Sequence, residues 1–352
     1  MPTETMTGRE RWLAVLNRQQ PDRVPMDYWG TSETTDALCR HLGCDFDTAC
    51  KRLHIDLPLT VGGAYVGPEP DEGSDAFGIR TQPVAYGTGI YNEIIYSPLA
   101  RYDSVEAIEA EYIWPSPDWW DYTHLPKQVA GQEHRIVRGG GSEPFLAYKN
   151  LRGEEQAFMD LLIHPEIVHY CLDKLFNLAY ESTRRIFETI PGVVSITYVA
   201  EDLGGQTSLL YSKEQIHEFL LPRMKRMMDL TRQHSSFVFT HTDGAVREII
   251  PDLIAIGAHV LNPVQWRCPG MGREELKADF GGALIFHGGV DNQQTLPFGS
   301  EDDVRQEVLD NLRILGADGG YILAPCHNIQ PVTRPENIVA MYETGYEAGW
   351  ML

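Results

Sequence analysis

Two short segments of the chain carry side chains of the kinds that bind metal ions. His241 and Asp243 stand two positions apart, directly after the apolar run 237–240. Cys326 stands shortly after a second apolar run, 321–324. Imidazole, carboxylate and thiolate are all ligands of zinc, and a catalytic zinc uses three protein ligands and keeps one position open. We therefore expect His241, Asp243 and Cys326 to bind zinc if the two segments meet in the fold.

Each of these residues also has an ordinary structural explanation. His241 and Asp243 could form a hydrogen-bonded pair or a helix cap, because a helix is predicted directly after Asp243. Cys326 could be a buried thiol that packs like a small apolar side chain. Cys268 is then a reserve ligand if Asp243 does not bind the metal.

Other polar side chains also follow apolar runs and could complete an active site. Glu201 is a candidate fourth ligand or general base, although it equally suits a turn cap. His327 and Asp56 are further candidates for acid–base catalysis. Five residues are expected to line the substrate pocket: Asp27, Trp29, Asp202, Gln265 and His287.

These candidates lie at the ends of elements that alternate regularly along the chain. Five segments typical of strands are each followed by a helical segment, and three earlier segments bring the total to eight. The strands are predicted at 24–30, 55–61, 135–141, 193–200, 236–240, 258–262, 284–287 and 321–324. Consecutive strand–helix units imply parallel strands, and no glycine-rich nucleotide loop of an open sheet follows the first strand. We therefore predict an α/β fold, a (β/α)8 TIM barrel with its active site at the carboxyl ends of the strands.

The N-terminal half departs from this alternation of strands and helices between residues 76 and 126. Segments 79–85 and 90–95 are separated by a glycine-rich turn and predict an antiparallel hairpin. An aromatic loop follows at 114–125, which suits a lid or a dimer contact as well as ordinary surface packing. We predict one domain over residues 1–352, with the hairpin and the loop inserted into the barrel.

Composition and charge narrow the classes of partner. The chain has 29 basic and 50 acidic residues and a net charge of −21, so it lacks the basic surface that nucleic acid binding requires. No apolar run is long enough to span a membrane, and residues 1–5 lack the layout of a signal peptide, so we expect a cytoplasmic protein. The six cysteines form no Cys-x-x-Cys pair, which argues against a disulfide framework or a zinc ribbon.

The chain resembles the uroporphyrinogen decarboxylase superfamily over nearly its whole length. Five segments carry the resemblance: Arg23-Val24-Pro25, Glu201-Asp202-Leu203-Gly204, Asn262-Pro263-Val264-Gln265, Phe286-His287-Gly288-Gly289-Val290-Asp291 and His327-Asn328-Ile329-Gln330. The resemblance implies a (β/α)8 barrel with its pocket at the carboxyl ends of the strands. It does not choose a reaction, because related barrels host different chemistry.

One branch of this superfamily implies a metal-free decarboxylase. Its members bind substrate carboxylates with an arginine-rich segment after the first strand, whereas residues 26–31 here are Met-Asp-Tyr-Trp-Gly-Thr. Each missing bidentate contact costs on the order of 2 kcal/mol. His327 matches the C-terminal histidine of that branch and Asp56 matches its catalytic aspartate. Decarboxylation of uroporphyrinogen or of a smaller acid is therefore the alternative function.

A second branch contains zinc-dependent methyltransferases that exchange methyl groups with a corrinoid protein. They carry His-x-Cys after strand five and a cysteine after strand eight, where this chain has His241-Thr242-Asp243 and Cys326. A carboxylate in place of a thiolate leaves zinc a stronger Lewis acid, better suited to polarising an oxygen than to activating a thiol. We therefore expect methyl transfer between an oxygen-bearing or sulfur-bearing small molecule, with oxygen favoured, and a corrinoid.

The resemblance also implies partners. The chain shows no corrinoid-binding segment, so the corrinoid is expected on a separate protein, and related enzymes often form homodimers. A catalytically silent barrel that only binds a ligand is the third possibility. It is disfavoured because so many predicted strand ends carry ionisable side chains.

Overall fold

A computed structural model describes residues 3–87 and 89–351, so that Thr88 in the predicted hairpin turn lies outside the described residues. The strands are β1 (Leu59–Val61), β2 (Ala64–Tyr65), β3 (Arg80–Tyr86), β4 (Gly89–Tyr96), β5 (Trp120–Asp121), β6 (Val137–Ser142), β7 (Ile196–Ala200), β8 (Phe237–His241), β9 (Val260–Asn262), β10 (Ile285–Val290) and β11 (Tyr321–Pro325). The α-helices are α1 (Gly8–Leu16), α2 (Ser32–Leu42), α3 (Phe46–Arg52), α4 (Val105–Glu111), α5 (Leu125–Val129), α6 (Pro144–Arg152), α7 (Glu154–Ile163), α8 (Pro165–Thr189), α9 (Lys213–Gln215), α10 (Leu221–Gln233), α11 (Ile250–Ile256), α12 (Arg273–Phe280), α13 (Thr295–Phe298), α14 (Glu301–Ile314) and α15 (Pro335–Ala348).

The main sheet is parallel and curled, and the described residues form seven of its strands in the order β1, β6, β7, β8, β9, β10, β11. The predicted parallel α/β architecture is thereby confirmed. The predicted first strand is reduced to two isolated parallel bridges, one between Met26 and Leu323 of β11 and one between Gly30 and Ile329. Around the first bridge, the N–H of Asp27 donates to Leu323 O at 2.9 Å, and the N–H of Asp56 donates to Met26 O at 2.7 Å.

The strands are buried on both faces, as parallel strands between a packed interior and a layer of helices must be. In β8, Phe239 and His241 contact aromatic side chains inside the curled sheet, whereas Val238 packs with the helices. Ala200 of β7 stands in register with His241 of β8. The carboxyl ends of neighbouring strands therefore meet at one end of the sheet, which we call the mouth.

Helix α1 covers the opposite end of the sheet, where the strands begin. The sequence Thr7-Gly8-Arg9-Glu10 predicts a capping box at the start of α1, and the structure confirms it: the side chain of Thr7 accepts from the N–H of Glu10, and the carboxylate of Glu10 accepts from the N–H of Thr7. Trp12 is fully buried, and its indole N–H donates to Asp56 O at 2.9 Å. It packs with residues at the amino ends of the strands: Ile136, Ile196, Val260, Ile285 and Ile322. This cluster closes the amino end of the interior.

The segment between β1 and β6 forms two small antiparallel pairs outside the main sheet. Strand β3 pairs with β4, and β2 pairs with β5 of the aromatic loop. Trp114 of that loop packs edge-on against Tyr170 of α8. No described helix, including the 25-residue α8, combines the length and apolar character of a bilayer span.

Two prolines explain where elements differ from the prediction. Strand β1 begins at Leu59 instead of residue 55, because Pro58 has no N–H to donate to a neighbouring strand. The sequence predicts one helix over residues 212–233, but the structure interrupts it with a π-helical turn at Ile216–Leu220, and Pro222 follows in the first turn of α10. Proline removes one helical hydrogen bond, so the ladder is rearranged in front of it.

Candidate functional site

Three side chains at the mouth bring possible metal-ligand atoms together. They are Asp202 just after β7, His241 at the end of β8, and Asp243 two residues later, and their ligand atoms all lie within 4.8 Å of one another. The His241 Nε2 atom lies 3.8 Å from Asp202 Oδ1. His241 is buried, and both aspartates are partly buried. We call these three residues the Asp-His-Asp group.

The two carboxylates of this group each have one buried oxygen that is suited to a positively charged partner. The Oδ1 atoms of Asp202 and Asp243 are buried and accept no hydrogen bond from any residue that the structure describes. A buried carboxylate oxygen without a partner costs several kcal/mol, and binding a cation removes that cost. Imidazole and carboxylate are both zinc ligands, and carboxylates also suit harder divalent ions. The residues present therefore fit a divalent metal ion.

Cys326, the expected third ligand, is not part of this group. Its buried thiol donates to Val264 O at 3.1 Å, in the loop after β9. Burial raises the pKa of Cys326 well above its ordinary value. Asp202, which was expected in the substrate pocket, lies where a third ligand is required.

A chain of buried polar side chains leads away from His241. His287 is fully buried, and its Nε2 atom lies 3.0 Å from Asp27 Oδ2. Because an ionised carboxylate only accepts, Nε2 of His287 carries the hydrogen. Burial lowers the pKa of His287, with Asp27 opposing, so the ring is neutral and its Nδ1 atom accepts. That Nδ1 atom lies 2.7 Å from Asn262 Nδ2, the donor of the amide.

The orientation of Asn262 then determines the state of His241. With its Nδ2 turned to His287, the amide presents Oδ1 to His241 Nδ1 at a distance of 2.6 Å. His241 must donate from Nδ1, and in the neutral ring this leaves the lone pair of Nε2 facing the two aspartates. Partners of this kind fix the tautomer of metal-binding histidines. We call Asp27, His287 and Asn262 the relay. Asp27 and His287 were expected in the substrate pocket but serve here as supports.

Two further carboxyl groups lie near the Asp-His-Asp group. Glu201 is buried, and its Oε1 atom accepts from the N–H of Phe145 at 3.1 Å. Burial raises the pKa of Glu201 well above its usual range. Burial, reinforced by Asp202, raises the pKa of Glu143 to about 7. The mouth therefore holds two carboxyl groups that bind protons more readily than ordinary ones.

Glu143 was missed from the sequence. It directly follows β6, whose glycine run was predicted, and it therefore stands at a strand end like the other candidates. Position alone was the available signal. The same reasoning selected Glu201, one residue beyond the predicted strand 193–200, and Glu143 lies two residues beyond the predicted strand 135–141.

Asp56, a predicted catalytic residue, lies away from the mouth. It precedes β1 at the amino end and forms ion pairs with Arg11 and Arg23. Its Oδ2 atom also accepts from the N–H of Met26 at 3.0 Å. These contacts occupy both carboxylate oxygens. Asp56 is therefore a buried, ion-paired carboxylate at the closed end of the sheet, and we propose that it stabilises the fold instead of acting in catalysis.

The other predicted residues lie at the mouth with different roles. The Nε2 atom of His327 is 3.8 Å from Asp243 Oδ2, and its ring is partly exposed. Gln265 accepts through its side chain from the N–H of Gly244, so it supports the turn after β8. Cys268 is buried near Gln206 and is not part of the Asp-His-Asp group.

A cavity of about 590 Å³ lies on the far side of two aromatic rings that pack near His241, and the three residues of the Asp-His-Asp group are not part of its lining. Trp29 and Tyr198 line it, and their rings lie 5.8 Å and 5.5 Å from the ring of His241. Arg138 lines it from β6, and Tyr28 and Phe46 add further rings. This volume and this mixture of aromatic and polar lining are typical of small-molecule sites. We call it the aromatic cavity.

The relatives found by sequence comparison are all described as uroporphyrinogen decarboxylases. A uroporphyrinogen decarboxylase of Pseudomonas savastanoi pv. phaseolicola is 27% identical over 368 aligned residues, covering 97% of this chain and 98% of the relative. One of Nostoc punctiforme is 26% identical over 218 residues, covering 60% and 54%. Among solved structures, a methyltransferase from Methanosarcina mazei superposes with a TM-score of 0.71 at 17% identity, covering 97% and 99%. At that identity the superposition shows a shared fold.

The family comparison covers the part of the chain that carries the Asp-His-Asp group and Arg138. The family model described as Uroporphyrinogen decarboxylase (URO-D), a family with the TIM-barrel fold, matches residues 136–348. This match spans β6 to β11 and the helices between them. The chain therefore belongs to the uroporphyrinogen decarboxylase family.

Proposed function

We propose that this protein is a zinc-dependent methyltransferase that moves a methyl group from a methoxylated small molecule to a corrinoid carried by a separate protein. The observation that carries the proposal is the Asp-His-Asp group, in which one fixed imidazole nitrogen and two unpartnered carboxylate oxygens converge beside a small-molecule cavity. One barrel fold hosts many reactions, so the donor set distinguishes between them.

The side chains of the group have separate roles. His241 Nε2, Asp202 and Asp243 would hold the ion, and zinc bound by such oxygen-rich ligands polarises an ether oxygen as a Lewis acid. Transfer breaks the methyl–oxygen bond and leaves the electron pair on the oxygen, which then takes a proton. Glu143, whose pKa is raised by burial to about 7, and His327 beside Asp243 are the nearby groups that can supply it.

Decarboxylation of uroporphyrinogen receives less support from the same residues. Asp56 is committed to Arg11 and Arg23 at the closed end. Residues 26–31 hold no arginine for substrate carboxylates. A substrate with many carboxylates would meet Asp202, Asp243 and Glu143 at the mouth, and like charges oppose its binding.

The purified full-length protein provides the test. Elemental analysis should find about one zinc per chain, and mixing with 4-methoxybenzoate and reduced cobalamin, as a surrogate for the corrinoid protein, should give the absorption spectrum of methylcobalamin. His241→Ala should lose both zinc and methyl transfer. His217→Ala, which changes an exposed histidine paired with Asp252, should lose neither. Carbon dioxide release from uroporphyrinogen by metal-free protein would overturn the proposal in favour of a decarboxylase.

A further inference from the structure

We propose that the aromatic cavity binds a planar aromatic carboxylic acid, with Arg138 pairing to the carboxylate and the opposite end of the ring directed to the Asp-His-Asp group. The identity of the reacting end rests on the proposed function. The binding of the acid does not, because it depends on Arg138 and the aromatic walls.

Arg138 is a cation without an acidic neighbour. Its Nε and Nη2 atoms donate to Thr60 Oγ1 at 3.2 Å and 3.0 Å, and its guanidinium carbon lies 5.9 Å from the Trp29 ring. Among the residues that the structure describes, no carboxylate lies within ion-pair distance of Arg138. The planar guanidinium fork matches a carboxylate with two parallel hydrogen bonds.

Arg138 is partly buried, and its lack of an acidic partner contrasts with two fully buried arginines of the chain. Arg11 pairs with Asp22 and Asp56, and Arg152 pairs with Asp160. The chain has 50 acidic residues against 29 basic ones, so acidic partners are abundant. An arginine that faces a cavity and has no such partner is suited to an anion that comes from outside.

The walls of the cavity select the shape of that anion. Trp29 and Tyr198 present their rings to the cavity, and Tyr28 and Phe46 add aromatic surface. The indole N–H of Trp29 donates to Asp27 Oδ2 at 2.9 Å, so the carboxylate that orients the relay also fixes this ring. Rigid aromatic walls favour a flat ring, since stacked or edge-on rings gain more than area burial alone.

The acid can enter in one orientation. Arg138 stands in register with Ile196 at the start of β7, whereas His241 stands in register with Ala200 at its end, so Arg138 lies deeper. Trp29 lies between them, 5.9 Å from the guanidinium carbon and 5.8 Å from the His241 ring. Among the described residues that line the cavity, Arg138 is the one that carries a positive charge, so the carboxylate is expected to pair at that end. The carboxylate therefore points inward, and the substituent across the ring reaches the Asp-His-Asp group.

Calorimetric titration of the full-length protein with 4-methoxybenzoate and its neutral analogue 4-methoxybenzamide tests this site. The acid should bind about 10- to 100-fold more tightly than the amide, as expected for a charge-assisted contact. Arg138→Gln should abolish this preference, and Arg138→Lys should retain part of it. Arg80→Gln, which removes an exposed arginine stacked on Tyr96 of the hairpin, should leave it unchanged.

The outcomes separate this inference from the proposed function. Titrations are run after removal of metal by a chelator, and again on Asp243→Asn, where methyl transfer should be lost but binding of the acid kept. Equal affinities for acid and amide, no binding of either, or an unchanged preference in Arg138→Gln would overturn the site. Circular dichroism of both Arg138 variants shows whether they fold, and Arg138→Lys provides the test if Arg138→Gln does not.

Discussion

The Nδ1 atom of His241 lies 2.6 Å from the Oδ1 atom of Asn262, and this contact decides which nitrogen of the imidazole faces Asp202 and Asp243. The amide oxygen of Asn262 faces His241 because the Nδ2 atom of the same amide faces Nδ1 of His287. The relay therefore holds a lone pair in place before any ion arrives. Preorganised ligands of this kind bind more tightly than ligands that must reorient.

Asn262→Leu should weaken zinc binding about 10- to 100-fold, because the ring of His241 loses the acceptor that fixes its tautomer. Zinc affinity is measured by competition with a chromophoric chelator. Asn337→Leu is the matched control: Asn337 is equally buried and donates to Leu296 O and Gly299 O, away from the mouth. It should destabilise the protein without changing its zinc affinity. If Asn262→Leu binds zinc as tightly as the wild type, the relay does not support the metal site.

Asp202→Asn and Cys326→Ala distinguish the ligand set that we propose from the structure from the one expected from the sequence. Asp202→Asn removes a ligand charge, so zinc affinity should fall by more than the roughly 10- to 100-fold that supporting residues cost. Cys326→Ala should keep full zinc content, because the thiol only donates to Val264 O. Elemental analysis of both variants after dialysis measures the difference. Loss of zinc in Cys326→Ala together with full zinc content in Asp202→Asn would instead identify Cys326 as the ligand.

Asp56→Asn should lower the free energy of unfolding by about 3–5 kcal/mol, because two buried guanidinium groups lose their shared counter-charge. Urea unfolding followed by circular dichroism measures this. Asp118→Asn removes an exposed aspartate paired with Arg185 and should change stability little. Methyl transfer per folded molecule should survive in Asp56→Asn. Selective loss of activity with wild-type stability would make Asp56 catalytic after all.

The acid stability of the chain should depend on Asp22. Its carboxylate accepts from Arg11 Nε at 2.7 Å and from the N–H of Thr5 at 2.8 Å. Burial acts to raise the pKa of Asp22, but these hydrogen bonds outweigh it and lower the pKa from 3.8 to about 2. Because the folded pKa is the lower one, the stabilisation is present above about pH 4 and is lost as the pH falls towards 2.

Urea unfolding of wild type and Asp22→Asn across that pH range provides the measurement. The wild type should be more stable above about pH 4, and the difference should shrink as Asp22 is protonated. A difference that stays constant down to pH 2 would show that the pKa of Asp22 is not lowered by folding.

The sequence predicts those parts of the fold that follow from local pattern. Strand β8 was expected at residues 236–240 and is found at Phe237–His241, because a short apolar run before polar residues is typical of a buried parallel strand. The neighbouring position of Asp202 and His241 then follows from parallel pairing of β7 with β8. The proximity of Asp202 and His241 at the mouth can therefore be predicted from the pairing of their strands alone.

Roles that depend on cross-strand distances could not be predicted in this way. Asn262 is a relay residue only because it stands between His241 and His287 from three neighbouring strands. Asp56 is the second residue of the predicted strand 55–61 and precedes β1 in the structure, so it lies at the amino end of the sheet in either case, away from the mouth. Cys326 follows its strand as expected, but its thiol turns to Val264 O, a choice that the strand pattern does not encode.

The plug that Trp12 and its helix form at the amino end has a kinetic consequence. Because this cluster closes the amino end, a small molecule bound in the interior would enter and leave at the mouth. On the proposed function, the small substrate would therefore bind before the corrinoid protein covers the mouth, and the demethylated product would be released last.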